Sequence, residues 1–304
     1  MERVIGLLDA IPYLRAYSGQ IFVVKAGGEL FEDPRQREFL CRDIAVLHRL
    51  GISVVLVHGG GPQLDAAAER LGLESTVVAG RRITSQALLD AAINEWSGRL
   101  SMSLVRGLQA QGERAMGVSG ADAGLIRAER RPPALVTNDE GERVTVDYGL
   151  VGDIREIKVD VLKAVLGIPA IPVVTPIAIG QGTEVLNVNA DTVAAEIAVA
   201  LNAAKLLMLT RAPGILADPT DLSSVLHWTD LVELAELEQK GAIRTGMRPK
   251  VAAIRRALLG GVPRVHVVDG RRPGSLLVEV FTTEGSGTLV VQEADDTPAE
   301  PFIR

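Results

Sequence analysis

Short apolar runs rich in valine, leucine and isoleucine recur along this chain. They are separated by stretches in which apolar residues return every three or four positions. Ile21–Lys25, Val54–Val57, Ile171–Thr175, Lys205–Thr210 and Arg264–Val268 are runs of the first kind. They lack the apolar–polar alternation of a half-wetted strand, so they predict strands covered on both faces. Between them lie helical patterns. Residues 35–49 are one; the segment after Val57 is another, with Leu64, Ala68 and Leu71 on one face. Residues 86–112 and 159–166 follow, then 191–203, where Val193, Ile197 and Leu201 align. Pro249–Leu259 has proline at its first position and Gly260-Gly261 beyond its end, the usual asymmetry of a helix. Met116–Val118 predicts a further strand, and residues 4–17 a short helix kinked at Pro12.

Strands alternating with helices predict an α/β fold: a three-layer αβα sandwich around a mainly parallel sheet. One stretch departs from that rhythm. Arg143-Val144-Thr145-Val146-Asp147 alternates, and Asn138-Asp139-Glu140-Gly141 precedes it, which predicts a β-hairpin insertion within 134–154. The tail, residues 293–304, is acidic with two prolines and is expected to be mobile.

Composition narrows the partners. The chain is 47% hydrophobic but only 3% aromatic, so its core is aliphatic. Its net charge is −6 and it has no long basic run, which argues against nucleic acid or an anionic membrane surface. An anionic substrate must then be met by a local cluster of positive charge. Cys41 is the single cysteine and lies on the apolar stripe of Leu40, Ile44 and Leu47, where a buried structural thiol is expected. No signal peptide or membrane-length apolar run is seen, so a cytoplasmic protein is expected.

The candidate chemistry sits where apolar runs end in glycine. Val23-Val24-Lys25-Ala26-Gly27-Gly28 and Val57-His58-Gly59-Gly60-Gly61-Pro62-Gln63 both do so, the second just before a helix. Glycine lets backbone N–H groups approach an anion, and a helix start adds its positive end. Neither segment has the spacing of a P-loop or of a dinucleotide fingerprint. Asn187, Asn189 and Asp191 stand on alternate positions before a helix, one more polar pair than a cap requires. Lys250, with Arg248, falls in the first turn of a helix, where the dipole disfavours cations; an anion nearby would reverse that cost. Arg82, in Gly80-Arg81-Arg82-Ile83-Thr84, suits either a substrate carboxylate or solvent. His58 at a strand end is expected to be structural. The histidines show no metal-ligand spacing, so no side-chain metal site is expected, and Ser119 is not in a nucleophile elbow. Together the lysines, glycine turns and carboxylate point to phosphoryl transfer.

These residues, in this order, resemble the amino acid kinase family, and within it the branch that phosphorylates N-acetyl-L-glutamate. The likeness runs from Ile11-Pro12-Tyr13-Leu14 to Gly287-Thr288-Leu289. It is carried by Lys25-Ala26-Gly27-Gly28, His58-Gly59-Gly60-Gly61-Pro62-Gln63, Arg82-Ile83-Thr84, Asn187-Val188-Asn189-Ala190-Asp191 and Gly246-Met247-Arg248-Pro249-Lys250. The resemblance implies an N-terminal segment 1–18 that serves oligomerisation, an acyl amino acid lobe at 19–178 and a nucleotide lobe at 179–292. It implies ATP and Mg²⁺, an acyl phosphate product in arginine biosynthesis, and catalytic roles for Lys25, Lys250, Asp191, Gly28 and Gly60. Gly60, Gly61, Arg82 and Asn187 would hold the acyl amino acid. Lys25, Gly27, Gly28, Thr210, Gly214, Met247 and Lys250 would hold the nucleotide. His266 and Glu279 resemble part of an L-arginine effector site, and a homo-oligomer, hexamer favoured over dimer, is implied with it.

Several positions depart from the family pattern. Arg211 follows Leu209-Thr210 where an acid is usual, Ser119-Gly120-Ala121-Asp122-Ala123 lacks a lysine, and Ser97-Gly98-Arg99 and Arg248 also differ. These leave other readings open: a kinase for N-succinylglutamate or for carrier-linked aminoadipate or glutamate, or a weakly catalytic arginine or acyl amino acid sensor.

Overall fold

The apolar runs become the middle of one sheet. The computed structural model describes residues 2–137, 142–243 and 246–293. Among the described residues the main sheet has eight strands. They are β1 (Ile21–Ala26), β2 (Ser53–His58), β3 (Ala115–Ser119), β4 (Ile171–Thr175), β5 (Lys205–Thr210), β6 (Trp228–Asp230), β7 (Val265–Asp269) and β8 (Thr288–Val291). Their order is β6-β8-β7-β5-β1-β2-β4-β3, and those from β7 through β3 are parallel. β8 runs antiparallel to β7 and parallel to β6.

The helices are α1 (Glu2–Tyr17), α2 (Pro34–Arg49), α3 (Gly61–Leu71), α4 (Gln86–Ile93), α5 (Ser101–Ala110), α6 (Asp160–Gly167), α7 (Ala190–Ala200), α8 (Leu231–Gln239), α9 (Arg248–Leu259) and α10 (Ser275–Phe281). Successive side chains of a strand point to opposite faces, and the core divides accordingly. Val23, Val55, Leu206 and Val267 pack with α6, α7, α8 and α9. Phe22, Val24, Leu56 and Leu207 pack with α2, α5 and α10, and with Tyr13 and Tyr17 of α1. This is the expected three-layer αβα sandwich. Every residue of β5 is buried, which is why its sequence shows no alternation. Cys41 lies in the second core, and burial pushes its thiol up to about 11, fitting an inert packing residue.

The structure adjusts several local expectations. The long helix expected over 86–112 is α4 and α5 joined by a π-helical stretch, Asn94–Leu100. Such turns re-aim side chains and often occur at functional sites. Leu71 is exposed rather than buried, because α3 ends there on Gly72 in the left-handed region (φ 64°). Pro249 is the second residue of α9, since Arg248 opens the helix. The hairpin pairs Ala134–Thr137 with Arg143–Val146; its turn, 138–141, lies outside the described residues. Residues 152–154 belong instead to a second, four-stranded sheet, ordered Val185–Asn187, Ile177–Ile179, Ile126–Arg130, Gly152–Ile157. Of the tail, residues 294–304 lie outside the described residues. No helix among the described residues is long and apolar enough to cross a membrane.

β1 sits between β2 and β5, so the chain winds away from it in both directions. Open parallel sheets bind ligands in the crevice at the carboxyl ends of such strands. The glycine segments after β1 and β2 open into that crevice, and the second sheet brings Asn187 to its rim through a bridge with Val151.

Candidate active site

Lys25 is the penultimate residue of β1 and is almost fully buried, which is costly for an ammonium unless it is paired. Its partner is Asp191, whose Oδ1 lies 2.7 Å from Lys25 Nζ. Asp191 stands in the first turn of α7, where the helix dipole favours a carboxylate. Asn189 caps that helix, accepting from the N–H groups of Asp191 and Thr192 at 2.9 and 3.0 Å. Lys250, in the first turn of α9, donates to the other oxygen of Asp191 at 3.2 Å. The cation expected to be misplaced on its own helix is thus drawn in by an anion of the protein.

The protonation states follow. Burial would raise the Asp191 carboxyl, but Lys25 and then Lys250 outweigh it and bring it down to about 2. Burial would lower the Lys250 ammonium, yet Asp191 and Glu29 hold it above its usual range. Two ammonium groups therefore share one carboxylate, leaving one net positive charge. Lys25 and Asp191 line a cavity of about 310 Å³ together with Gly28, Gly60, Gly61 and Asn187, among others; Lys250 is not among its lining residues and reaches it only through Asp191.

The glycine loops touch. A Cβ on Gly28 would lie 2.9 Å from Gly60 Cα and 3.0 Å from Gly60 N. Gln63 locks the loops by donating from Nε2 to the Gly28 carbonyl at 2.8 Å. Gly60 is held from the far side by Trp96 of the π-helical stretch, whose Nε1 donates to the Gly60 carbonyl at 2.8 Å. Gly28→Ala should force the two loops apart and lower kcat by about a hundredfold with the melting temperature little changed, since such small misplacements cost that much. Unaltered turnover would show that the contact is idle.

Other sequence candidates divide. Arg82 lines the cavity, and its fork is held by Asp65 (Nη2 to Oδ2, 3.0 Å) and by Ser75. Asn187 lines it too, donating to Thr84 Oγ1 at 3.1 Å. Gly27 lies under the carboxylate of Glu29, where an added Cβ would meet Oε1 at 2.3 Å. Thr210, Gly214 and Met247 are not among the cavity's lining residues. Thr210 instead turns the chain after β5, accepting from the Ala212 N–H at 2.9 Å. Gly214 packs against Thr288, and Met247 directly precedes α9. His266 and Glu279 come together, but as a buried pair at 2.6 Å. His266 Nε2 also meets Lys205 Nζ at 3.1 Å, and Glu279 accepts from the N–H groups of Ser286 and Gly287. Arg211 contacts Glu32 and donates to the Glu29 carbonyl at 3.2 Å.

His58 has the structural role expected. It is fully buried, with Nε2 3.0 Å from Thr175 Oγ1 and Nδ1 3.2 Å from the Gly59 carbonyl oxygen. Burial brings both His58 and His266 down to about 4. The unfolded chain binds these two protons near pH 6.5 and the folded chain only near 4, so stability falls as pH drops through that window. Asp43, raised to about 6 by burial, acts in the opposite direction, but it is one group against two. Melting temperature is therefore expected to fall on acidification from pH 6.5 to 4, and to fall less in His58→Gln. A flat profile would contradict the neutral, buried histidines.

Residues not singled out from sequence also face the cavity: Glu29, Arg81, Trp96, Arg131 and Asp153. Glu29 directly follows a quoted glycine pair, which was a usable signal. Asp153 closes Gly149-Leu150-Val151-Gly152-Asp153, a motif that also matches the family pattern, whereas nothing in the linear pattern marks Trp96 or Arg131.

A crevice of this kind could serve several phosphoryl-transfer families. The model of the amino acid kinase family matches residues 20–269, most of the chain. The chain belongs to the amino acid kinase family. Among similar amino acid kinases is "Acetylglutamate kinase" of Myxococcus xanthus, 48% identical over 295 residues, covering 97% of this chain and 96% of that one. The protein of the same name from Archaeoglobus fulgidus is 39% identical over 290 residues, covering 95% and 99%. A solved N-acetylglutamate synthase from Neisseria gonorrhoeae, complexed with coenzyme A and N-acetyl-glutamate, is 28% identical with a TM-score of 0.81. It covers 96% of this chain, which spans 64% of the synthase chain. Giardia lamblia carbamate kinase bound to AMP-PNP shares the fold at 18% identity and a TM-score of 0.65, covering 91% of this chain and 100% of that one.

Proposed function

We propose that this amino acid kinase transfers the γ-phosphoryl group of ATP to the γ-carboxylate of N-acetyl-L-glutamate, forming an acyl phosphate in arginine biosynthesis. The observation that carries the reading is the Lys25–Asp191–Lys250 set beside the touching glycine loops. A glutamate side chain is ionised at neutral pH, so it attacks without a general base. The obstacle is bringing an anionic nucleophile to anionic phosphates, and catalysis then consists of positioning and charge neutralisation. Lys25 and Lys250 supply the positive charge, Asp191 fixes the distance between them, and Gly28 and Gly60 offer backbone donors to the moving group. Arg82 and Gly61, within a lobe spanning 19–178, and Asn187, just beyond it, would hold the acyl amino acid at the rim. The nucleotide would lie over 179–292, near Gly27, Thr210, Gly214 and Met247.

Mg²⁺ fits this arrangement as a companion of the nucleotide. Among the described residues no group of three acidic, histidine or cysteine side chains could hold a metal ion, and both oxygens of Asp191 face lysines. Phosphate oxygens with one or two carboxylates are the usual Mg²⁺ ligands in such sites, and Glu29 is the carboxylate at hand. When bound, the ion would share the neutralisation of phosphate charge.

The regulatory reading is a ring hexamer inhibited by L-arginine. Tyr17 of α1 lies 4.8 Å below Lys205 Nζ, so the N-terminal helix, β5, β7 and α10 meet at the His266–Glu279 pair. A cationic effector would have to open that network. Light scattering tests the assembly: a stable dimer would count against the hexamer and the feedback reading together. A mere sensor would have no use for the buried lysine pair.

The function is tested by ADP release from Mg²⁺-ATP. Release dependent on N-acetyl-L-glutamate and absent with free L-glutamate is expected; equal rates with both, or none with either, would overturn it.

A further inference from the structure

We propose that Arg81 and Arg131 form a second anion subsite in this cavity, and that the enzyme also accepts N-acyl glutamates whose acyl group carries its own carboxylate. The inference rests on the kinase reading above. Arg81 and Arg82 are neighbours on one short strand, paired with Val77–Val78. Neighbours on a strand point to opposite sides. Arg82 turns to Asp65 and Ser75, while Arg81 comes under the charges of Arg131 and Asp153. All three of Arg81, Arg131 and Asp153 line the cavity.

Asp153 is already engaged. Arg131 Nε lies 3.1 Å from each of its oxygens, and that bond first of all holds the Asp153 carboxyl below its usual range. The Arg131 guanidinium also stands 6.0 Å over the Tyr148 ring, which fixes its place. Among the described residues the Arg81 guanidinium has no hydrogen bond or ion pair of its own. Two guanidinium groups thus share one acid, and the remaining positive charge faces the cavity. Arg131 also donates its backbone N–H to the Val151 carbonyl at 2.8 Å, and Val151 bridges to Asn187. The subsite therefore adjoins a residue proposed to hold the acyl amino acid. A neutral acetyl group gives this charge no partner, whereas a terminal carboxylate can accept charge-assisted bonds from the fork.

The test compares N-acetyl-, N-butyryl- and N-succinyl-L-glutamate with wild type, Arg81→Gln and Arg131→Gln. Butyryl matches the length of succinyl without its charge. Wild type is expected to use the succinyl compound with kcat/KM about tenfold above the butyryl one, the scale of one good charge-assisted bond. That advantage should vanish in Arg81→Gln and shrink in Arg131→Gln, while the acetyl-to-butyryl ratio stays fixed. A succinyl compound no better than butyryl, or an advantage that survives both substitutions, overturns the subsite. Arg81→Gln lowering all three equally would overturn it too, assigning Arg81 to a group common to every substrate. Turnover of N-acetyl-L-glutamate alone removes only the subsite; silence with all three removes the kinase reading as well.

Discussion

Lys250→Ala is expected to lower kcat about a thousandfold, the scale set by removing a preorganised charged donor from a dry site. Without Lys250, Asp191 and Lys25 still neutralise each other at 2.7 Å, but the net positive charge of the lysine–aspartate set is gone. A carboxylate would then approach the phosphates with one cation, itself tied to an acid. Lys250 is partly exposed and its variant leaves a complete Lys25–Asp191 pair, so folding should persist. Steady-state kinetics paired with a thermal melt checks this. Lys25→Ala should be as severe in kcat, and a near-normal rate for both variants would contradict the charge argument. KM for N-acetyl-L-glutamate should move far less than kcat, because the interaction strengthens as the phosphoryl group moves.

Asp191→Asn is expected to damage stability as well as rate. It leaves two ammonium groups facing each other, one of them almost fully buried. Breaking a buried ion pair by removing one partner costs about 3–5 kcal/mol. A melting temperature roughly 5–10 °C lower is expected for a chain of this size. The double variant Asp191→Asn with Lys25→Met removes the uncompensated charge and should recover much of the melting temperature while remaining inactive. Failure of the double variant to recover would show that the loss arises from α7, whose first turn also carries this aspartate, and not from charge.

The central fold was readable because its strands are buried on both faces. Uninterrupted runs such as Lys205–Thr210 suit strands covered on both faces, and helix periodicity between them imposed the layers. The antiparallel edge was not readable. Trp228–Asp230 and Thr288–Val291 are short, and their pairing depends on contacts far apart in sequence. The four-stranded sheet escaped for the same reason, as Ile177–Ile179 and Val185–Asn187 are three residues each.

The site was legible where backbone chemistry demands a residue type. A side chain on Gly28 would collide with the Gly60 main chain and one on Gly60 with the Trp96 ring, and Lys250 declared itself by standing at the wrong end of a helix. Arg248 stood there too, but it is exposed and solvent screens it. Arg81 was in view beside Arg82, yet only the fold shows that the two diverge and that Asp153 is already taken by Arg131. Trp96 reaches Gly60 through a π-helical stretch, and no local pattern of apolar residues foretells one.

The most direct measurement incubates the purified protein with Mg²⁺-ATP, N-acetyl-L-glutamate and hydroxylamine, and identifies the product by mass. The γ-hydroxamate of N-acetyl-L-glutamate, formed by wild type and lost in Lys25→Ala and Lys250→Ala, is the expected result. ATP consumption without hydroxamate, or hydroxamate formation that survives both substitutions, would contradict acyl phosphate synthesis at this site.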